Sequence, residues 1–114
     1  MRSNEFLFGE ELPWEKVGEG MYRQILGHDD KMLMARVKFD KGGIGVVHEH
    51  FHSQTTYVVS GQFELQVGEE KKIIKGGDAF YIPPHVYHGA VCLEAGELID
   101  VFSPTREDFF KKTE

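Results

Sequence analysis

Stretches of strand length, apolar and interrupted every few residues by Gly, Pro or Asp, run through this chain from Met21 to Phe102, and that rhythm most limits its fold. A surface helix needs an apolar stripe recurring at i, i+3 and i+4, and no segment sustains one. The pattern predicts strands near Met21–Leu26, Met32–Phe39, Ile44–His50, Thr55–Val59, Gln62–Val67, Lys72–Ile74, Ala79–Ile82, His88–Leu93 and Leu98–Phe102. The turns between them carry their own chemistry. Gly27-His28-Asp29-Asp30, Lys41-Gly42-Gly43, Ser60-Gly61, Gly68-Glu69-Glu70 and Gly76-Gly77-Asp78 supply glycines for positive φ or aspartates that close local hydrogen bonds.

Many short strands in a small chain predict an all-β fold, a double-sheet sandwich or barrel that protects exposed strand edges. No repeat, low-complexity tract or linker divides the sequence, so residues 1–114 are expected to form a single domain. At this size folding buries roughly two-thirds of the unfolded chain's surface. Near the end, Ser103-Pro104-Thr105-Arg106-Glu107-Asp108 predicts a short helical segment. It has a hydroxyl cap, a proline in the first turn and acids at the positive end, with Phe109 and Phe110 placed to dock it.

Nineteen acidic residues against 13 basic ones give a formal charge of −6, and no Lys or Arg run offers a track for phosphates. Nucleic acid is therefore not an expected partner. The single Cys92 cannot form an internal disulfide, and the start, Met1-Arg2-Ser3-Asn4-Glu5, lacks the apolar stretch of a signal peptide. A cytoplasmic location with no membrane span is the expectation.

The chemistry concentrates in His48-Glu49-His50-Phe51-His52-Ser53-Gln54, answered downstream by Pro83-Pro84-His85-Val86-Tyr87-His88. Two histidines one residue apart on a strand point to the same face, so both rings can reach one ion. A carboxamide just beyond them and a third histidine from a distant strand would complete a four-ligand set with room for water or substrate.

These motifs resemble those of the cupin superfamily. The first runs Gly42, His48, His50, Gln54, Gly61, with Gln54 where glutamate is more usual. The second runs Gly77, Pro83, His85 at the usual glycine, His88, and Cys92 where asparagine is common. The two motifs span about residues 42–61 and 77–92. Gly20-Met21-Tyr22-Arg23-Gln24-Ile25-Leu26, His52-Ser53-Gln54 and the ending Asp100 to Phe109 add a narrower resemblance, to the KdgF-type cupins of pectin and alginate breakdown.

That resemblance implies a cupin β-barrel of jelly-roll form. It also implies conversion of 4,5-unsaturated monouronates into linear 5-keto-4-deoxyuronate. His48, His50, Gln54 and His88 would bind one divalent metal ion, and Asp100, Phe102 and Arg106 would complete the active site. Three imidazoles and an amide leave a metal's charge uncompensated, so such a site favours an anion. The reaction involves no redox change, so zinc or nickel would serve as well as iron or manganese. Two other functions fit the same ligand set: a metal-dependent dioxygenase or related oxidoreductase, and a non-catalytic sugar-binding module.

Several residues also carry plainer readings. Asp100 shares a strand face with Leu98 and Phe102, and alternation alone does not say whether that face is inside. Arg106 suits a carboxylate through its planar fork, and equally an ion pair with Glu107 or Asp108. His52 fits second-row support, substrate contact or an exposed position at the barrel mouth. His28 and His85 read as loop residues, and Cys92 as a small apolar filler. Tyr57, Val59, Phe63, Phe80 and Tyr81 are expected in strands and core, while Trp14 would cover the barrel or meet another subunit. Leftover apolar faces on a small β-sandwich make a homodimer the expected assembly.

Overall fold

The computed structural model describes residues 1–111. Eight strands fill most of them: β1 (Glu15–Gly18), β2 (Met21–His28), β3 (Leu33–Phe39), β4 (Ile44–His48), β5 (Ser53–Val67), β6 (Glu70–Lys75), β7 (Ala79–Ile82) and β8 (His88–Ser103). All pairings are antiparallel. The two longest strands, β5 and β8, pair with each other from Ser53↔Ser103 to Val67↔His88 and so belong to both walls of a β-barrel. In one wall the order is β1-β2-β3, then the C-terminal half of β8, then the N-terminal half of β5 with β7. In the other, β4 pairs the N-terminal half of β8, which pairs the C-terminal half of β5, which pairs β6.

The apolar pattern predicts four strands where the chain makes two, because Ser60-Gly61 bends β5 without ending it. Register shifts between Val58, Ser60, Gln62 and Phe63 mark a bulge there. Gly61 takes φ 87, and a Cβ on it would lie 2.7 Å from the Gly96 Cα on the facing strand. Gly96 is as constrained, since its Cβ would strike the Ser60 carbonyl and Gly61 Cα. The ribbon therefore crosses from wall to wall at two glycines that touch.

The bulge also changes which side chains point inward. Before it, Gln54, Thr56 and Val58 are buried; after it, Phe63 and Leu65 are. Tyr57 and Val59 consequently face outward, as does Tyr81 on β7, which corrects their expected place in the core. Phe63 is buried and meets Phe39 edge-on at 5.2 Å, within a cluster that includes Val37, Val58, Cys92 and Leu98. Fully burying a side chain of this kind contributes roughly 1.5–3 kcal/mol. Cys92 is the small apolar filler expected, its thiol donating to the Glu94 carbonyl at 3.1 Å. A second cluster, Leu33, Ala35 and Phe102, is packed by Ile25, Phe109 and Phe110.

Three local expectations need correction. The predicted C-terminal helix is only a four-residue 3-10 turn, Glu107–Phe110, with no side-chain cap. Ser103 ends β8 instead, its hydroxyl donating to the Lys31 carbonyl at 2.8 Å, and the residue that precedes the turn is Arg106. Strand β1 was not signalled, because its sequence, Glu-Lys-Val-Gly, is mostly exposed on a sheet edge and has no apolar face to detect. His28 closes strand β2 and packs against Phe110, their tilted rings 4.8 Å apart, whereas His85 does occupy an exposed loop. Trp14 lies beneath the Arg36 and Lys38 cations at 5.0 and 4.4 Å, on the outer side of β3. Among the described residues no helix is long and apolar enough to cross a membrane.

The crossing predicts two contrasting glycine substitutions. Gly96→Ala should cost about 2–3 kcal/mol in urea unfolding, since backbone must shift. Gly77→Ala has φ 97 but open space around it, and should cost only about 1–2 kcal/mol. Equal losses would show that the contact at the crossing is not what constrains the bend.

Candidate metal centre

The three motif histidines meet where the two walls open. His48 ends β4 and His88 begins β8, and the two are direct cross-strand partners. Their rings lie 4.5 Å apart, and His50 lies 5.6 Å from His48 and 4.8 Å from His88. One ring nitrogen from each falls within 4.8 Å of the others. Strand alternation does not produce this grouping, contrary to the sequence argument, because β4 stops at His48. His50 sits in the following bend, where its carbonyl accepts from the His85 backbone N–H at 2.8 Å.

Each ring is turned the same way by its own backbone. Nδ1 of His48 contacts the Val46 carbonyl at 2.8 Å, Nδ1 of His88 the Val86 carbonyl at 2.8 Å, and Nδ1 of His50 the His52 carbonyl at 3.0 Å. A carbonyl only accepts, so each neutral ring carries its proton on Nδ1 and leaves Nε2 as a bare lone pair. Burial lowers the pKa of His88 to about 4, and burial followed by the Arg106 charge lowers that of His50. Both rings are therefore neutral near pH 7.

Gln54 sharpens the pattern. Its amide nitrogen donates to the Thr56 hydroxyl at 3.0 Å and to Asp100 Oδ1 at 3.3 Å, which directs Oε1 toward His50 Nε2 at 3.0 Å. Two acceptors thus face each other across a hydrogen-bond distance, and His88 Nε2 is buried with no partner among the described residues. Lone pairs that converge without a proton between them suit a cation. The donor set of three imidazoles and an amide oxygen could hold a divalent metal ion.

His48, Gln54 and His88 line a cavity of about 290 Å³ that also takes in Asp100, Phe102 and Arg106. This is the low end of the ligand-pocket range and suits one small molecule. Asp100 lies between Leu98 and Phe102, both buried, so its strand face is the inner one and the parity question is settled. Thr56 donates its hydroxyl proton to Asp100 Oδ1. Burial pushes the Asp100 carboxyl up to about 6, against the Thr56 hydrogen bond, the Arg106 charge, the Gln54 amide and the Arg23 charge, all of which favour the ionised form. Phe102 both packs the second core cluster and walls the cavity. Arg106 is buried, donating from Nε and Nη2 to Asp108 at 3.0 and 2.8 Å while stacking on Phe102 and Phe109. The ion pair allowed by sequence is present, within a pocket-lining side chain.

Residues 35–102 match the cupin domain family. The pectin degradation protein KdgF of Dickeya dadantii (strain 3937) is 44% identical over 106 residues, covering 91% of this chain and 96% of that protein. The chain belongs to the cupin family, in its KdgF-type branch. Solved structures agree: an RmlC-like cupin from Shewanella frigidimarina NCIMB 400 superimposes with a TM-score of 0.93 at 49% identity, over 95% of this chain and 97% of that one. KdgF from Halomonas sp. gives 0.89 at 41% identity, over 95% and 100%.

In this cupin three residues that sequence reading did not place in the site reach it. Thr56 links Gln54 to Asp100, and its even-numbered position on β5 beside Gln54 was the available signal. Asp108 anchors Arg106 and also borders the cavity. Arg23 enters from β2, where it shares parity with Met21 and Ile25. His52 is buried and acts through its backbone, its carbonyl accepting the His50 ring proton, with no exposure at the mouth. His85 contacts Glu49 at 3.1 Å on the exposed side.

Metal binding to the folded cupin should raise its thermal midpoint. At 100-fold excess over Kd the gain is about 2.7 kcal/mol. Zinc or nickel should shift the melting temperature of the wild type, and His88→Ala should abolish the shift. An equal shift in the variant would place the ion elsewhere.

Proposed function

We propose that this cupin opens the ring of 4,5-unsaturated uronate monomers to give linear 5-keto-4-deoxyuronates, acting in pectin and alginate breakdown. The observation that carries the reading is Asp100: an inward-facing, partly buried carboxylate linked through Thr56 and Gln54 to the histidine cluster, in one small cavity with Arg106. Similarity to a protein named for pectin degradation supports it.

A divalent ion held by His48, His50, Gln54 and His88 would supply Lewis-acid polarisation of the ring oxygen, with zinc or nickel adequate because no electron is transferred. Arg106 presents a cation to the substrate carboxylate, with its Nη1 end left over from the Asp108 pair. Asp100 acts as general base on the anomeric hydroxyl. As that proton leaves, the C1–O5 bond breaks, C1 becomes an aldehyde and the electron pair remains on O5 as an enolate across C4 and C5. Protonation at C4 completes the 4-deoxy ketone. Its pKa of about 6 lets Asp100 accept a proton and release it without a large penalty either way. Phe102 supplies an apolar wall that keeps the carboxyl from bulk water.

The ene-carboxylate of an unsaturated uronate absorbs in the ultraviolet and the ketone product does not. Metal-loaded protein under anaerobic conditions should accelerate that decay well above the spontaneous rate, and a chelator should stop it. Asp100→Asn should lower kcat by about 10²–10⁴ with metal content unchanged. A requirement for oxygen would transfer the chemistry to a dioxygenase, and retention of full turnover in the variant would remove Asp100 from its role.

A further inference from the structure

Arg23 is a cation on the inside of a barrel wall. In the β2-β3-β8 register it stands beside Val37, which stands beside Leu98, and both neighbours are buried core residues. Its side chain is only 16% exposed. Charged side chains occupy such positions rarely, because desolvation is costly unless hydrogen bonds or a ligand offset it. Arg36, one residue before Val37 on the neighbouring strand, shows the structural alternative. It faces the other side, where its fork meets both oxygens of Glu97 at 3.0 and 2.9 Å and its Nη1 donates to Gln24.

Arg23 is held differently. Its Nε and Nη2 both reach a single oxygen of Glu15, at 3.0 and 2.9 Å, so the pair is not a complete fork. Its guanidinium carbon lies 3.7 Å from the centroid of the Phe109 ring, and that of Arg106 lies 4.4 Å from the same centroid. One aromatic ring on the 3-10 turn therefore orients two cavity-lining guanidiniums, neither of which spends its Nη1 on an acceptor among the described residues. Both border the cavity that holds Asp100 and the histidines.

We propose that Arg23 is a second ligand-binding arginine, which together with Arg106 makes the cavity selective for sugar acids. Arg23 donates through its Nη1 edge to an oxygen of the acid; Phe109 fixes its plane and Glu15 fixes its depth. The inference rests on reading the cavity as a uronate site, without depending on which reaction follows.

The test uses D-galacturonate, which lacks the 4,5 double bond and so is not turned over, with D-galactose as its uncharged counterpart. Calorimetric titration of zinc-loaded wild type should show at least tenfold tighter binding of galacturonate. Arg23→Met keeps the apolar stem over Phe109, and should lose that preference by tenfold or more. Arg23→Lys keeps the charge and should recover part of it. The melting temperature of each variant separates folding from binding: an arginine that only clasps β1 to the C-terminal turn would lower melting and leave the galacturonate Kd within twofold of wild type. That result overturns the proposal, as does equal affinity of wild type for the two sugars or no measurable galacturonate binding. Parallel turnover of an unsaturated monouronate keeps the two readings apart. Arg23-dependent binding without turnover removes the isomerase and leaves this inference standing, while turnover with Arg23-independent binding does the reverse.

Discussion

Pairing of β5 with β8 runs from Ser53↔Ser103 to Val67↔His88, and because both strands bend where Gly61 meets Gly96, one ribbon builds both walls of the barrel. Its two halves deliver different chemistry. The half nearer Ser53 carries Gln54, Thr56, Asp100 and Phe102 on its inner face, and the other half carries His88 beside His48. Without the crossing, the carboxylate and the histidine cluster would lie along one flat ribbon. With it, they face a common cavity.

The cavity combines histidines whose Nδ1 atoms face backbone carbonyls with two arginines whose charges are partly offset by Glu15 and Asp108. Asp100 shares it, its desolvation only partly offset by Thr56, Gln54 and those same arginines. Such an interior is costly in a protein of this size, where the apolar core is already interrupted between Leu98 and Phe102. The expense is understandable if a charged ligand and a cation complete the network.

Much of this was legible in the residues. Glycine spacing and alternation marked most strands, and the distances from His48 to His50, Gln54 and His88 marked the cluster. Where reading failed, the cause was local. Ser60-Gly61 looked like a strand end because a bulge and a turn use the same residues, and misjudging it reversed the inward parity of Tyr57 and Val59. His50 was grouped with His48 for a reason of strand geometry that does not operate, since β4 ends two residues short of it. Arg23 was invisible because an inward arginine and an outward one have the same sequence signature.

Sequence by itself determined the class of fold, the family and the three clustered histidines, because these depend on residue types at fixed intervals along one chain. Tertiary structure decided that Asp100 faces inward, that Gln54 turns its oxygen to His50, and that Arg23 and Arg106 share Phe109. Asp100 meets Thr56 and Gln54, and Arg23 meets Phe109, across long stretches of chain, and the geometry of these contacts is fixed by register, bulge and packing across the barrel. No interval along the chain encodes them.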